Sequence, residues 1–346
     1  MGAIGILTGG GDCPGLNAVI GALVRKINRA GKKVLGFHDG WRGIIDGNFE
    51  ELTVESTSEI VPLGGTIIGT SRTNPYKEPH DSIPRIKKVW NDTGLEALVA
   101  VGGDDTLGVA HRLFKEENLN IIGVPKTIDN DISGTDFTFG FDTAVNNAVE
   151  AIDKVRTTAD SHHRVFVVEV MGRHAGWIAT YAGMASGADA ILIPEKEINM
   201  DEVCEILKHN REHSHHKYNI VVVAEGAVFK KGDYITQQPE LDEFGNVHLG
   251  GIAEQLSRII EKRTGFETRN LILGHLQRGG TPTAFDRVLG IRYGARAAQL
   301  VLEEQYGKMV ALRGIDIVVA DLGEGVSKTK TINMEIYKTA EDFFHP

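Results

Sequence analysis

The stretch Ile4–Ala30, IGILTGGGDCPGLNAVIGALVRKINRA, contains a short apolar run, a glycine-rich loop and a helical pattern in direct succession. The run Ile4–Thr8 is apolar at successive positions, which is typical of a strand that helices cover on both faces. The pattern from Leu16 to Ala30 predicts a helix. A strand that leads through a tight loop into a helix is the repeating unit of an α/β protein with parallel sheets.

The same alternation continues along the chain and predicts an α/β fold. Ligands of such sheets bind beyond the carboxyl ends of the strands, so functional residues are expected in the loops that follow them. Candidate strands are Ile4–Thr8, Val34–His38, Leu98–Val101, Ile121–Val124, Val165–Val170, Ala190–Ile193, Ile220–Ala224 and Leu271–Leu273. Candidate helices are roughly Leu16–Ala30, Leu107–Glu117, Asp142–Thr157, Gly176–Ser186, Met200–His209, Ile252–Thr264 and Ala284–Glu304.

Length and composition narrow the class of protein. A chain of 346 residues is expected to form two domains. The net charge of −10 argues against non-specific nucleic-acid binding, although local basic residues can still hold an anionic small molecule. Two cysteines that lie far apart imply no disulfide framework, so a cytoplasmic location is expected. No run of 18 uncharged apolar residues is found, so no membrane span is expected.

The loop Gly9–Gly15, GGGDCPG, is a candidate anion-binding site. Successive glycines let backbone N–H groups approach a ligand, and the following helix N-terminus adds partial positive charge. The loop has neither the GK[ST] ending of a Walker A motif nor the spacing of a dinucleotide fingerprint. An ordinary tight turn between a strand and a helix remains the alternative.

Two further loops are rich in carboxylates: Gly102–Thr106, GGDDT, and Pro125–Asp131, PKTIDND. Phosphoryl transfer needs a carboxylate that holds Mg²⁺, a base for the attacking hydroxyl, and a cation that neutralises charge. Loops of this kind also cap helices and stabilise turns, and that reading stays open for any single residue. Because two such loops follow successive strands, a phosphoryl-transfer site is favoured.

Five motifs in order resemble the phosphofructokinase family: GGGDCPGLN, GGDDT, PKTIDND, Met171–Arg173, and GHLQRGG at Gly274–Gly280. The resemblance runs from about residue 4 to about residue 305. It implies two three-layer α/β domains with mostly parallel sheets and an active site in the cleft between them. By the same resemblance, residues 1–140 with about 275–310 form a phosphoryl-donor domain. Residues of about 141–274 with 311–346 form a fructose 6-phosphate domain.

The resemblance also implies a role for each matching position. Asp129 is expected to take the proton from the sugar 1-hydroxyl, with Thr127 and Arg173 as further catalytic residues. Asp104 is expected to bind Mg²⁺, and the donor is expected to contact Gly11, Arg72, Asp105 and Lys126. The expected fructose 6-phosphate residues are Thr127, Asp129, Asp131, Met171, Gly172, Arg173, Glu225, His275 and Arg278, with Arg164 and Arg269 supplied by a neighbouring subunit.

Two positions bear on the phosphoryl donor. ATP-dependent members have glycine where this chain has Asp105 and Lys126, and this pair resembles the pyrophosphate-dependent branch. A carboxylate at position 105 would add bulk and negative charge where the ATP α-phosphate would lie. The sequence therefore predicts reversible, Mg²⁺-dependent transfer from pyrophosphate to fructose 6-phosphate in a homodimer or homotetramer. An ATP-dependent enzyme of the same fold and a non-catalytic sugar-phosphate sensor are the alternatives.

Overall fold

The computed structural model describes residues 2–77, 81–230 and 251–344. Within these ranges, no helix has both the length and the apolar character needed to cross a membrane. The strands are β1 (Ala3–Thr8), β2 (Lys33–Phe37), β3 (Phe49–Leu52), β4 (Leu95–Gly102), β5 (Ile121–Pro125), β6 (Val165–Val170), β7 (Ala190–Leu192), β8 (Asn219–Ala224), β9 (Thr268–Ile272), β10 (Lys308–Arg313) and β11 (Asp316–Asp321). The helices are α1 (Leu16–Arg29), α2 (Trp41–Asp46), α3 (Ser82–Thr93), α4 (Asp104–Glu117), α5 (Phe141–His162), α6 (Trp177–Ala185), α7 (Met200–His213), α8 (Ile252–Thr264), α9 (Ala284–Leu302), α10 (Leu322–Gly325) and α11 (Met334–Glu341).

The chain divides into two compact units. The first unit comprises Met1–Ile128, Ile132–Thr143 and Arg278–Thr329, and the second comprises Asp129–Asp131, Ala144–Gln277 and Lys330–Pro346. Each unit has its own sheet and its own buried apolar core. The α/β fold with mostly parallel sheets that the sequence predicts is confirmed.

The sheet of the first unit has the strand order β11-β10-β5-β4-β1-β2-β3 among the described residues. Its five inner strands run parallel, while β3 and β11 pair antiparallel at the two edges. Parallel strands that are neighbours present their carboxyl ends at one edge of the sheet. The loops after β1, β4 and β5, which include the glycine-rich loop and both acidic loops, therefore lie side by side.

Helices cover both faces of this first sheet. On one face α2, α3, α4 and α10 share a buried core with strand residues that include Leu7, Phe37 and Leu98. On the other face α1 packs against α9 at very close range. A Cβ at Gly290 would lie 2.8 Å from the Gly15 carbonyl oxygen, and one at Gly294 would lie 2.3 Å from that of Val19. These glycines hold the returning segment directly against the start of α1.

A buried carboxylate fixes the start of α9 to the start of α5. Asp286 is fully buried, and its Oδ2 accepts hydrogen bonds from the Thr143 N–H at 2.8 Å and the Thr143 hydroxyl at 2.5 Å. In return, the Thr283 hydroxyl donates to Asp142 at 2.6 Å. Burial raises the pKa of Asp286 to about 6. The N-termini of α5 and α9 thus share one network of capping hydrogen bonds.

The sheet of the second unit is fully parallel, with the order β7-β8-β6-β9 among the described residues. Its inner strands β6 and β8 are largely apolar because both faces are covered, whereas the edge strand β9 is mostly exposed. Ala190 and Leu192 of β7 face the core formed with α7 and α8. Ile191 points the other way, where it packs on Gly183 of α6. The carboxyl ends of β8, β6 and β9 are neighbours and carry the Glu225, Met171–Arg173 and GHLQRGG segments.

The structure corrects the prediction for residues 311–329. The sequence prediction assigned them to the second domain, but β10 and β11 belong to the sheet of the first unit, where β10 pairs with β5. The two strands form a hairpin in which Arg313 pairs with Asp316 across Gly314-Ile315. The runs KMVALR and DIVVAD on either side of a two-residue turn are the sequence pattern that would have predicted this hairpin. Other elements that the sequence prediction omitted are β3, α2, α3, α10 and α11.

Candidate active site

The glycine-rich loop after β1 is held by backbone hydrogen bonds on both sides. The Gly9 N–H donates to Val101 O at 2.9 Å, and the Gly10 N–H donates to Ser71 O at 2.9 Å. The Thr70 hydroxyl donates to Gly10 O at 2.7 Å. Gly10 has a φ of 79°, in the left-handed region that favours glycine. The loop is therefore fixed in a conformation that a side chain would strain.

Lys126 lies beneath this loop. It follows β5, its side chain is only 3% exposed, and its ammonium group donates to the Gly11 carbonyl oxygen. A Cβ at Gly10 would lie 3.4 Å from Lys126 Nζ. Burying an ammonium group is costly unless it finds hydrogen-bond acceptors or an anion. The position puts a positive charge against the candidate anion site, and the donor-binding roles of Gly11 and Lys126 stay predictions.

Asp104 and Asp105 form the first turn of α4, directly after β4, and both are exposed. The helix N-terminus favours negative charge there. Thr106 turns inward behind them, and a Cβ at Gly9 would lie 2.6 Å from its hydroxyl oxygen. The carboxylates of α4 and the glycine loop are thus brought together by direct packing.

The described residues offer a carboxylate ligand for a magnesium ion but do not surround such an ion with protein ligands. No group of three or more His, Cys, Asp or Glu side chains in residues 2–77, 81–230 and 251–344 has the geometry to hold a metal ion. Mg²⁺ is commonly bound through one or two carboxylates, with phosphate oxygens and water completing the shell. Asp104, exposed beside the anion loop, fits that chemistry.

Two arginines lie at the same loop. Arg72 is exposed and follows Ser71, whose carbonyl oxygen accepts the Gly10 N–H. Arg278 Nη1 donates to Asp12 O at 3.2 Å, and a Cβ at Gly11 would lie 2.7 Å from Nη1. Arg278 was predicted to bind the sugar phosphate, whereas these contacts place it against the predicted donor loop. Its contact with the sugar stays a prediction.

Cys13 is a packing residue in this loop. It is fully buried, and its thiol donates to Phe139 O at 3.6 Å. Burial raises the pKa of the thiol to about 12, with the nearby charge of Lys126 opposing that effect. A thiol of this kind stays protonated near neutral pH and cannot serve as a nucleophile.

The segment after Lys126 carries the predicted base. The Thr127 carbonyl oxygen accepts the Thr138 hydroxyl at 2.8 Å. Asp129 is 3% exposed, and Asn130 is fully buried with a φ of 51°, a conformation uncommon for residues other than glycine. Asp129–Asp131 belong to the second unit by their contacts.

Within the second unit, Glu225 links the predicted base to the predicted sugar loop. The Arg173 N–H donates to Glu225 Oε1 at 3.1 Å, and the Glu225 N–H donates to Val170 O at 2.8 Å. The pKa of Glu225 is raised by burial and, in addition, by the negative charge of Asp129. Arg173 and Glu225 thus form one cluster at the carboxyl ends of β6 and β8, near enough to Asp129 for its negative charge to act on Glu225.

Gln277 is a site residue that the sequence analysis missed. It is fully buried, its Oε1 accepts the Met171 N–H at 3.3 Å, and its Nε2 donates to Gly274 O at 3.1 Å. It therefore ties the loop Met171–Gly172 to the segment that carries His275, which is exposed. Gln277 stands within GHLQRGG, but glutamine there gave no signal of its own.

Arg164 and Arg269 lie away from this cluster in the same chain. Arg164 Nη2 contacts Glu267 Oε1 at 2.9 Å, and Arg269 also contacts that carboxylate. Both arginines stand at the amino ends of β6 and β9, whereas Met171 follows the carboxyl end of β6. Six residues of extended strand span about 20 Å. The sheet therefore separates these arginines from the other predicted sugar residues of their own subunit.

The chain matches known proteins over nearly its whole length. A sequence model of the family described as Phosphofructokinase matches residues 3–301. A pyrophosphate--fructose 6-phosphate 1-phosphotransferase from Amycolatopsis methanolica is 52% identical over 342 residues, which cover 99% of each chain. ATP-dependent 6-phosphofructokinase 3 from Streptomyces coelicolor is 47% identical over 339 residues, which cover 98% of each chain.

Solved structures agree with these matches. The phosphofructokinase of Pichia pastoris in the T-state aligns with a TM-score of 0.82 at 34% identity. The alignment covers 99% of this chain but 39% of that longer one. The resemblance that the five motifs indicated is confirmed: the chain is a phosphotransferase of the phosphofructokinase family.

Proposed function

We propose that this chain transfers a phosphoryl group from pyrophosphate to the 1-hydroxyl of fructose 6-phosphate, giving fructose 1,6-bisphosphate and phosphate in a reversible, Mg²⁺-dependent reaction. Such a reaction would serve glycolysis and gluconeogenesis in the cytoplasm. The family membership supports phosphoryl transfer to this sugar. The choice of donor rests on Lys126 and Asp105, because the names of the relatives include both donors.

The observation that carries the donor assignment is the buried ammonium group of Lys126 beneath the glycine loop. A compact diphosphate can pair with this charge while backbone N–H groups and Arg72 contact its oxygens. Asp105, exposed on the first turn of α4, presents negative charge to any longer donor. A nucleotide must bring an additional phosphate and a base past that carboxylate.

Asp104 is the residue that would hold Mg²⁺, together with oxygens of the donor. When bound, the ion would neutralise charge that develops on the transferred group. Lys126 contributes the same kind of stabilisation through a side chain that is already desolvated.

Asp129 performs the proton transfer in this proposal. Its carboxylate accepts the proton of the sugar 1-hydroxyl as that oxygen forms a bond to phosphorus. The bond between this phosphorus and the bridging oxygen breaks, and inorganic phosphate leaves with the bond's electron pair. Thr127 and Asp131 each lie two residues from Asp129 and line the same segment. Arg173, positioned by Glu225, supplies positive charge to the substrate phosphoryl oxygens.

Sugar binding is assigned to the loops at the carboxyl ends of β6, β8 and β9. Met171, Gly172 and Arg173 follow β6, Glu225 follows β8, and His275 follows β9. The 6-phosphate needs further cations, and Arg164 and Arg269 can supply them only from a second copy of the chain. The proposal therefore includes at least a homodimer. Homodimer and homotetramer both satisfy this requirement.

Gly226 provides a test of the sugar-binding loop. A Cβ at this position would lie 1.7 Å from the Arg173 carbonyl oxygen, so Gly226→Ala must displace the backbone of Arg173. We expect the KM for fructose 6-phosphate to rise at least tenfold, because displacements of about 1 Å have effects of that size or larger. The KM for pyrophosphate should change little. Steady-state kinetics of the folded variant measure both constants.

Gly108→Ala is the matched control, since a Cβ at Gly108 meets no heavy atom within 4 Å and its φ is ordinary. This variant should keep the KM for fructose 6-phosphate. A normal KM for this sugar in Gly226→Ala would contradict the assignment of the Arg173 loop to sugar binding.

The proposed function is tested by assaying the purified protein with fructose 6-phosphate and Mg²⁺ against pyrophosphate, ATP and ADP. We expect pyrophosphate to give at least tenfold higher kcat/KM than ATP, and chelation of Mg²⁺ to abolish turnover. The reverse reaction, from fructose 1,6-bisphosphate and phosphate, should be readily measured. A preference for ATP at matched Mg²⁺ would reject the donor assignment and leave an ATP-dependent phosphofructokinase.

A further inference from the structure

A lysine outside the segment matched by the family model contacts the backbone next to the proposed base. Lys330 lies beyond residues 3–301, in the part of the chain that returns to the second unit. Its backbone N–H donates to Asp131 O at 2.8 Å, and its Nζ donates to Asn130 Oδ1 at 3.0 Å. One residue thus holds the two positions that follow Asp129.

These contacts act on a segment whose conformation needs support. Asn130 has a φ of 51° and is fully buried. A non-glycine residue in this region is strained and is held there by its surroundings. The hydrogen bond from Lys330 satisfies the buried amide oxygen of Asn130 in that conformation. Without it, a buried acceptor would lose a charge-assisted partner.

Lys330 is itself anchored to the loop that follows Arg173. Trp177 Nε1 donates to Lys330 O at 2.9 Å, and Lys330 Nζ lies 5.0 Å from the centroid of the Trp177 ring. Glu195 accepts hydrogen bonds from the Gly176 N–H at 3.0 Å and from the Ile332 N–H at 3.0 Å. The segment Lys330–Ile332 is therefore bound to the start of α6 at two points.

We propose that Lys330 is a positioning residue that sets the orientation of Asp129 by holding Asn130 and Asp131 against the start of α6. The inference rests on the proposed role of Asp129 as the base. Lys330 need not touch the sugar or the donor for this role. Its effect reaches the reaction through the backbone that carries the carboxylate.

The test compares Lys330→Met with Lys330→Arg and with the control Lys328→Met, which changes an exposed lysine two residues away. We expect kcat for fructose 6-phosphate phosphorylation to fall roughly tenfold to a hundredfold in Lys330→Met, because orientation errors at a reacting group have effects of this size. The KM for pyrophosphate should stay within twofold. Lys330→Arg should recover much of the lost kcat, and Lys328→Met should match the wild type.

A second pair of variants separates positioning from a loss of stability. Asn130→Gly removes the amide that Lys330 contacts while still allowing the positive φ. If both residues act in one contact, the kcat of Asn130→Gly with Lys330→Met should equal that of either single variant. If the two single-variant reductions in kcat instead multiply in the double variant, the contact between Lys330 and Asn130 is not the cause of the reduction. Trp177→Phe, which removes the hydrogen bond to Lys330 O and leaves a smaller ring beside Lys330 Nζ, should show a smaller fall in kcat.

Amide hydrogen exchange gives a readout that does not depend on turnover. In Lys330→Met, the peptide covering residues 126–133 should exchange faster, and the peptide covering β1 should not. Wild-type exchange in that peptide, or a kcat within twofold of the wild type, would overturn the inference. A wild-type protein without pyrophosphate-dependent activity would instead reject the proposed function, while the exchange experiment would still test the contact.

Discussion

Asp129→Asn is expected to lower kcat for phosphorylation of fructose 6-phosphate by a factor of roughly 10² to 10⁴, the usual contribution of a positioned general base. The amide keeps the shape of the carboxylate but cannot accept the proton of the sugar hydroxyl. Binding of fructose 6-phosphate, measured by calorimetry, should stay within a few-fold of the wild type. A fall in kcat of this size with retained binding of fructose 6-phosphate distinguishes an enzyme from a sugar-phosphate sensor.

Asp153→Asn provides the matched control, because Asp153 is an exposed carboxylate on α5. It should have wild-type kcat. A second expectation follows from Glu225, whose pKa is raised in part by the charge of Asp129. Removal of that charge should lower the pKa of Glu225 towards its ordinary value. Turnover that persists unchanged in Asp129→Asn would mean that another group takes the proton.

The loops that carry the donor-side residues could be predicted because their signals are local. Gly9–Gly11, Asp104 and Lys126 each follow an apolar run directly, and parallel neighbours bring the ends of such runs to one edge of a sheet. The structure places these loops side by side and shows the contact between Lys126 and Gly11. The chemical roles of these residues stay predictions.

Other features could not be predicted because they depend on contacts between distant parts of the chain. The amide of Gln277 meets the Met171 N–H across 106 positions, and Lys330 meets Asn130 across 200. No local pattern marks either partner. The hairpin β10–β11 did have a local signal, but its membership of the first unit is decided by pairing with β5. For this reason the predicted domain boundary was wrong there.

Replacing both donor-determining residues, in Asp105→Gly with Lys126→Gly, is expected to shift the ratio of ATP to pyrophosphate kcat/KM towards ATP by about tenfold or more. Two like charges about 4 Å apart repel by about 4 kcal/mol at an effective dielectric of 20. Because Asp105 is exposed, solvent screening reduces this value. Half of this repulsion energy still exceeds the 1.4 kcal/mol that corresponds to a tenfold change in the ratio.

The two single variants should have different effects. Asp105→Gly removes the repulsion and should mainly raise kcat/KM with ATP. Lys126→Gly removes a buried cation that contacts the glycine loop, so it should mainly lower kcat/KM with pyrophosphate. Kinetics with both donors at matched Mg²⁺, with thermal unfolding to confirm folding, measure each effect. An unchanged ratio in a folded double variant would show that donor choice is made elsewhere, since neither charge would then face the part of the donor that distinguishes a nucleotide from a diphosphate.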